Sequence, residues 1–155
     1  MTATPIPRTV ALTFYGDLSL STLDELPKGR QVITTWIVPP AKREKAYQWI
    51  NGNVKKLKAQ VYVVCPLIEE SSVETMQSVK AVKKQYEEIK KSFSHLKVGL
   101  LHGKQKSKEK NKTLESFKKG KLDILVATPV VEVGLDVPNA TIMLIEGADR
   151  FGLAQ

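Results

Sequence analysis

The stretch 128–136, TPVVEVGLD, combines groups that can bind phosphates or a ribose. It offers the hydroxyl of Thr128, the permissive backbone of Gly134 and the carboxylate of Asp136, and hydroxyls and backbone N–H groups are common ligands of phosphate oxygens. The apolar run 123–127 before it is typical of a buried strand, and ligands of open α/β sheets bind beyond the carboxyl ends of such strands. A second interpretation stays open, because Thr128 and Asp136 are also ordinary caps of a strand-to-helix connection.

A second set of candidates follows the run 97–102, KVGLLH. His102 and Gly103 end this predicted strand, and Lys104 and Lys106 follow directly, which makes these lysines candidates for contacts with a phosphate backbone. No serine, cysteine or aspartate is spaced to form a triad with His102, so we assign it no catalytic role. Six further lysines are predicted to form a solvated face: Lys108, Lys110, Lys112, Lys118, Lys119 and Lys121.

Composition narrows the class of protein. The net charge of +8 favours a polyanionic partner. One cysteine and two histidines are too few for a structural zinc site, so we expect no metal site of that kind, and Cys65 is predicted to be a small buried residue. The chain has no apolar run long enough to cross a membrane and no signal-peptide pattern, so we expect a cytoplasmic protein without a membrane partner.

Alternating patterns predict an α/β fold. Five runs predict strands: Gln31–Val38, Gln60–Leu67, Lys97–His102, Asp123–Ala127 and Thr141–Glu146. Three helices are predicted between them: Ala41–Lys58, a helix from Ser71 or Ser72 to about Ser94, and Ser107–Lys119. Such alternation is typical of a mostly parallel sheet with helices on both faces. The segments 66–71, 102–103 and 128–136 are then predicted to gather at one edge, where the carboxyl ends of the strands lie.

Helical spacing also predicts which side chains face the core. In the first helix they are Ala46, Trp49, Ile50, Val54 and Leu57, and the sequence Asn51-Gly52-Asn53 predicts a weak point in its middle. In the second they are Met76, Val79, Val82, Tyr86, Ile89 and Phe93. In the third they are Leu114 and Phe117, and Gly120 is predicted to end that helix.

Longer stretches, in order along the chain, carry a resemblance to a known family. They are MTATPIPRT at 1–9, DELPKGR at 24–30, VYVVCPLIEES at 61–71, VGLLHG at 98–103, ATPVVEVGLDVPNA at 127–140 and EGADRFGLAQ at 146–155. Together they resemble the RecG family of ATP-dependent helicases of branched DNA, which belongs to helicase superfamily 2. The set is specific as a whole, whereas a short piece such as HG is not.

The resemblance implies a division into two parts. Residues 1–30 would contain helicase motif III, at the end of a first RecA-like domain, and an interdomain linker. Residues 31–155 would form the second RecA-like domain, the P-loop NTPase-type fold, truncated before motif VI. Motif III residues Thr2, Ala3 and Thr4 would link the nucleotide state to the grip on DNA.

The resemblance also implies roles for the candidates at the sheet edge. Gly134 and Asp136 would lie by the nucleotide, while Thr128, His102 and Gly103 would lie near the DNA backbone. Pro129 departs from the family, which usually has threonine there. Because proline lacks a backbone N–H, the phosphate contacts of this loop are expected to differ.

The resemblance further implies a parent enzyme, an ATP-dependent DNA helicase of recombination and repair that uses ATP and Mg²⁺. Its phosphate loop and acidic magnesium motif would belong to the first RecA-like domain, which would be a partner of this chain, as would branched DNA. Because phosphoryl transfer needs all these parts together, we expect the 155 residues alone to be inactive and to bind no nucleotide stably. An alternative hypothesis, based on charge and lysine content, is a free-standing basic DNA-binding module without enzymatic activity.

Overall fold

The computed structural model describes residues 32–66, 76–128 and 137–151. The helices are α1, Arg43–Leu57; α2, Met76–Ser92; and α3, Ser107–Lys118. The strands are β1, Val61–Val64; β2, Val98–Leu101; β3, Ile124–Ala127; and β4, Ile142–Ile145. Two short 3-10 helices, Pro40–Lys42 and Ala148–Arg150, precede α1 and follow β4.

The four strands form one parallel sheet in the order β2-β3-β1-β4. All four residues of β3 are buried, because this inner strand has a neighbour on each side and helices on both faces. The predicted α/β fold with a parallel sheet is confirmed.

Helices cover both faces of the sheet, as predicted. On one face, Ile50 of α1 and Ile89 of α2 pack with Val63 and Val126 of the central strands. On the other face, Phe117 of α3 is fully buried in a cluster with Leu101, Leu125 and Ala127, and Leu114 packs against it. Each buried valine, leucine, isoleucine or phenylalanine of these two clusters stabilises the fold by about 1.5–3 kcal/mol, so the clusters fix the sheet that carries the loops.

The predicted strand Gln31–Val38 is wrong for its described part. Residues 32–38 belong to no strand, and Val32 and Ile37 are 94% and 98% exposed. High β propensity reports how well side chains fit a half-buried pleated surface, and it does not supply a neighbouring strand. Within the described residues the sheet therefore has four strands and not the predicted five.

The inward face of α1 differs partly from the prediction. Ile50 and Val54 are buried as expected, but Trp49 is 48% exposed and Leu57 is 71% exposed. Tyr47 contributes instead, with its ring centroid 5.1 Å from that of Phe93.

The helix α1 runs without a break through Asn51-Gly52-Asn53, where the sequence predicts a weak point, and continues to Leu57. A glycine inside a helix costs only about 1 kcal/mol, which the packing of Ile50 and Val54 outweighs.

The other two helices agree with the sequence. Val82 and Ile89 of α2 are buried, Phe93 directly after the last residue of α2 is buried too, and Tyr86 is partly buried. The side chains of Met76 and Val79 lie outside the described part. α3 ends two residues before Gly120, whose φ of 68° is the left-handed conformation expected of a glycine after a helix.

Candidate functional site

The carboxyl ends of all four strands lie at one edge of the sheet. The backbone N–H of Thr128 donates to Leu101 O at 3.3 Å, and the N–H of Cys65 donates to Ala127 O at 2.9 Å. The N–H of Glu146 donates to the carbonyl of Val64 at 2.9 Å. The residues that follow the strands therefore stand side by side in the order His102, Thr128, Cys65 and Glu146.

This arrangement confirms the predicted convergence of Pro66, His102 and Thr128 on one edge. It holds because every strand pair is parallel and in register, with Ala127 opposite both Val64 and Leu101. The position of the first residue after each strand is thus fixed by the backbone hydrogen bonds between the strands.

The chain reverses the direction of its crossovers between β1 and β3. These strands are neighbours, but β1 leads to β2 at one side of the sheet and β3 leads to β4 at the other side. The strand order therefore reverses at the carboxyl ends of β1 and β3, and open α/β sheets bind their ligands at such a switch point.

Thr128 lies at this switch point with its side chain inside the protein. It is 1% exposed, and its hydroxyl oxygen has no hydrogen-bond partner among the described residues. A buried hydroxyl without a partner costs about 1–3 kcal/mol, so a polar group that reaches this oxygen would stabilise the strand end.

Several predicted site residues lie outside the described part of the chain. They are Thr2, Ala3, Thr4, Gly134 and Asp136, together with Pro129. Their roles remain predictions from the sequence.

The segment 102–106, which joins β2 to α3, is braced by two side chains. The backbone N–H of His102 donates to Gln105 Oε1 at 3.1 Å, and Gln105 Nε2 donates to Leu100 O at 3.2 Å. The ammonium of Lys110 donates to the carbonyl oxygen of Gly103. Neither brace was predicted from the sequence, because the direction of a side chain in a loop depends on the fold around it.

The four candidates for DNA contact in this segment differ in their exposure to solvent. His102 is buried and 7% exposed, Gly103 is partly exposed, and Lys104 and Lys106 are both exposed. Lys104 and Lys106 are thus the members of this set whose charges face solvent.

The lysines of α3 do not form a single surface. Lys110 turns back to the Gly103 carbonyl, which corrects its assignment to the solvated face. Lys118 and Lys121 are exposed at the far end of α3, and Lys119 there pairs with Glu115 at 2.8 Å. Because α3 has 12 residues and rises about 1.5 Å per residue, roughly 18 Å separates the two ends.

A cavity of about 310 Å³ lies at the same edge beside β1 and β4. Its walls include Cys65, Gln85, Asp149 and Arg150. Burial, together with the charge of Glu146, raises the pKa of the Cys65 thiol from 9.0 to about 12. Cys65 is therefore a protonated, unreactive thiol at neutral pH, which agrees with its prediction as a small buried residue.

Two features do not occur within the described ranges. No helix there is long and apolar enough to cross a membrane, and no group of three histidine, cysteine, aspartate or glutamate side chains gathers to hold a metal ion.

Comparison with known proteins identifies the family. A family model described as the helicase conserved C-terminal domain matches residues 41–154. The chain belongs to this family. The match covers all of the described α-helices and strands, so the edge described above is an edge of a helicase C-terminal domain.

Among proteins with this domain, the chain is similar to RecG helicases over its whole length. It is 47% identical to the ATP-dependent DNA helicase RecG of Pasteurella multocida and 48% identical to that of Escherichia coli K12, over 155 residues in each case. It spans 22% of each of these relatives.

A solved structure of RecG bound to a three-way DNA junction has the same fold. It matches with a TM-score of 0.75 and 40% identity, over 97% of this chain and 19% of that chain. The helicase C-terminal domain described here therefore corresponds to about one fifth of a much longer protein of known fold.

Proposed function

We propose that this chain is the second RecA-like motor domain of an ATP-dependent DNA helicase that acts on branched DNA. The observation that carries the proposal is 47–48% identity to RecG helicases over all 155 residues. On this proposal, residues 31–155 form the motor domain, and residues 1–30 are the end of a first RecA-like domain plus a linker. The parent protein acts on stalled forks and Holliday junctions in the cytoplasm, and the chain alone is inactive.

On this proposal ATP binds between the two motor domains, at the carboxyl ends of β1 and β3. Gly134 and Asp136 face the nucleotide, and the hydroxyl of Thr128 stands at the strand end beside them. The described residues fit only part of such a site, since they bring together no set of carboxylates for Mg²⁺. On this proposal the lysine and carboxylates that hold ATP and Mg²⁺ are supplied by the first RecA-like domain, the partner that the resemblance to RecG helicases implies.

The DNA backbone is contacted at the same edge, on the side of β2. Lys104 and Lys106 are exposed there, and cationic side chains that neutralise phosphates give DNA binding most of its sequence-independent free energy. His102, Gly103 and Thr128 set the backbone positions from which these contacts are made.

Closure of the two motor domains on ATP then changes the grip on DNA. Thr128 and the segment 102–106 follow neighbouring strands, so a movement of one relative to the first domain moves the other. Thr2, Ala3 and Thr4 carry this change between the domains. Such closure is a hinge motion, which ATP hydrolysis reverses.

The test is a chimeric E. coli RecG in which these 155 residues replace the matching segment. We expect ATP hydrolysis that is stimulated by three-way junction DNA, because the fold and the edge are retained. A chimera that folds, as judged by circular dichroism, but hydrolyses no ATP with junction DNA would contradict the proposal.

The nucleotide-proximal role is tested in the same chimera with Asp136→Ala. If Asp136 faces the nucleotide, DNA-stimulated ATP hydrolysis falls while the urea midpoint stays unchanged. A lower urea midpoint with normal hydrolysis would make Asp136 a cap of local structure instead.

The second candidate is a free-standing basic DNA-binding module, which the net charge of +8 favours. It requires that the 155-residue chain alone binds three-way junctions tightly and in preference to linear duplex. The exposed lysines are spread along the whole length of α3, which counts against one strong site. Weak binding without a branch preference would exclude this candidate.

A further inference from the structure

The segment 102–106 presents its side chains in alternating directions. Lys104 and Lys106 are exposed, whereas Gln105 between them is turned inward and makes hydrogen bonds with both of its amide atoms. A neutral side chain thus lies between two charges and holds the backbone that carries them.

Gln105 stabilises the segment because its side-chain amide forms hydrogen bonds with backbone groups at the end of β2 that do not pair with β3. β2 is an edge strand, and its Leu101 carbonyl points to β3, where it accepts from Thr128. The carbonyl of Leu100 points the other way, to the free side of the sheet, and accepts from Gln105 Nε2 at 3.2 Å. The Oε1 atom of Gln105 accepts from the N–H of His102, so one side chain ties the far end of the turn to the end of β2 at two points.

Lys110 adds a second brace from the first turns of α3. Its ammonium donates to the carbonyl oxygen of Gly103, and the residue is only partly exposed. A hydrogen bond from a charged donor contributes more than one from a neutral donor. The backbone between His102 and Gln105 is therefore held from the strand side by Gln105 and from the helix side by Lys110.

We propose that Gln105 and Lys110 are positioning residues that hold the segment 102–106 so that Lys104 and Lys106 meet a DNA backbone together. This inference rests on the proposed function, in which these two lysines contact phosphates. Without the braces the two lysines sample many positions and neutralise fewer phosphates at the same time, which weakens binding to DNA and lowers its salt slope.

The decisive variant is Gln105→Met, because it removes both hydrogen bonds and leaves the net charge unchanged. The affinity of the 155-residue chain for a short fluorescein-labelled duplex is measured by anisotropy at several salt concentrations. The slope of log K against log salt reports the number of phosphates that the chain neutralises, at about 0.9 for each phosphate. We expect Gln105→Met to reduce the magnitude of the slope by the equivalent of at least one phosphate, which a loss of stability alone does not do in the folded chain.

Lys110 supplies a second, independent variant. Lys110→Met is expected to reduce the slope more than Lys112→Met, which removes the same charge from an exposed position on α3. Lys110→Arg keeps a charged donor and is expected to restore most of the wild-type slope. Urea unfolding of each variant shows that the chain measured is folded.

The outcomes separate this inference from the proposed function. If Lys104→Ala with Lys106→Ala leaves the slope at its wild-type value, the proposed DNA contact itself fails. The positioning role is overturned if that double variant reduces the slope but the two bracing variants do not. In that case Gln105→Met has the same salt slope as wild type, and Lys110→Met has the same salt slope as Lys112→Met. If Gln105→Met does not fold, the comparison of Lys110→Met, Lys110→Arg and Lys112→Met decides the question.

Discussion

Arg43 and Glu146, which are 103 residues apart in the sequence, form a bidentate ion pair. The guanidinium nitrogens Nη1 and Nη2 donate to the two carboxylate oxygens at 3.0 and 2.7 Å, and Arg43 Nε donates to the hydroxyl of Tyr47 at 2.9 Å. The pair fastens the first turn of α1 to the end of β4, directly before Gly147. It therefore holds one side of the carboxyl edge on which the proposed function depends.

Removal of this ion pair is expected to destabilise the chain modestly. Arg43→Met leaves the carboxylate of Glu146, which is 16% exposed, without its partner, and we expect a decrease of about 1 kcal/mol in the free energy of unfolding. Urea unfolding at low and high salt measures it. The matched control is Lys119→Met, which breaks an i,i+4 pair whose side chains are 63% and 67% exposed, and no measurable change is expected there. Equal decreases for the two variants would contradict the structural role of Arg43.

Two glycines with positive φ are expected to differ in their tolerance of alanine. Gly120 has a φ of 68° with open space around it, so Gly120→Ala costs only the backbone strain of about 1 kcal/mol. Gly147 has a φ of 58°, and a Cβ there also lies 3.1 Å from the ring of Pro66. Gly147→Ala is therefore expected to lower the urea midpoint further than Gly120→Ala. The reverse order would show that Pro66 moves freely away from β4.

The stability of the chain is expected to fall at alkaline pH through Cys65. Burial raises the pKa of this thiol from 9.0 to about 12, so between these values the unfolded chain releases a proton that the folded chain keeps. The stabilisation is complete below pH 9.0 and is lost as the pH rises, by up to about 1.4 kcal/mol per pH unit. The measurement is the difference in unfolding free energy between wild type and Cys65→Ala as a function of pH, in which the titration of lysines and tyrosines cancels. Parallel curves would contradict a buried, protonated thiol.

The position of the lysines on and before α3, and not their number, is expected to decide DNA binding. Lys104→Ala with Lys106→Ala removes two charges at the carboxyl edge and should reduce the salt slope of binding by about 0.9 for each phosphate that is no longer neutralised. Lys118→Ala with Lys121→Ala removes the same charge from the other end of α3 and should leave the slope nearly unchanged. Anisotropy titrations of the 155-residue chain compare the two. Equal effects would show that DNA responds to net charge alone.

The sequence predicts most of the fold because the decisive signals are local. The runs that became β1, β2, β3 and β4 are apolar and flanked by breakers, and their order with the helices specifies a parallel sheet with its carboxyl ends together. That geometry alone brings Pro66, His102 and Thr128 to one edge. The prediction failed at 32–38, where strong β propensity found no neighbouring strand in the described residues.

The details of the candidate edge depend on contacts that no local pattern encodes. Gln105 and Lys110 have the spacing of an ordinary solvated loop and helix, and their inward direction follows from the carbonyls of Leu100 and Gly103, which accept their hydrogen bonds. The exposure of Trp49 also depends on the folded surroundings. Trp49 lies at the border of the helix face that Ile50 and Val54 bury, so its spacing alone does not decide whether it is buried. The direction and burial of such side chains are set by the residues that pack around them in the folded chain.

The measurement that tests the account most directly is unwinding of a fluorescently labelled three-way junction by the E. coli RecG chimera in the presence of ATP. Three forms are compared: the chimera itself, the chimera with Lys104→Ala and Lys106→Ala, and the chimera with Lys118→Ala and Lys121→Ala. We expect unwinding by the first and third and a strong reduction in the second, because only that pair lies at the carboxyl edge of the sheet. Unwinding at the same rate by all three, or by none of them when folded, would contradict the claim that this edge is the working surface of a helicase motor domain.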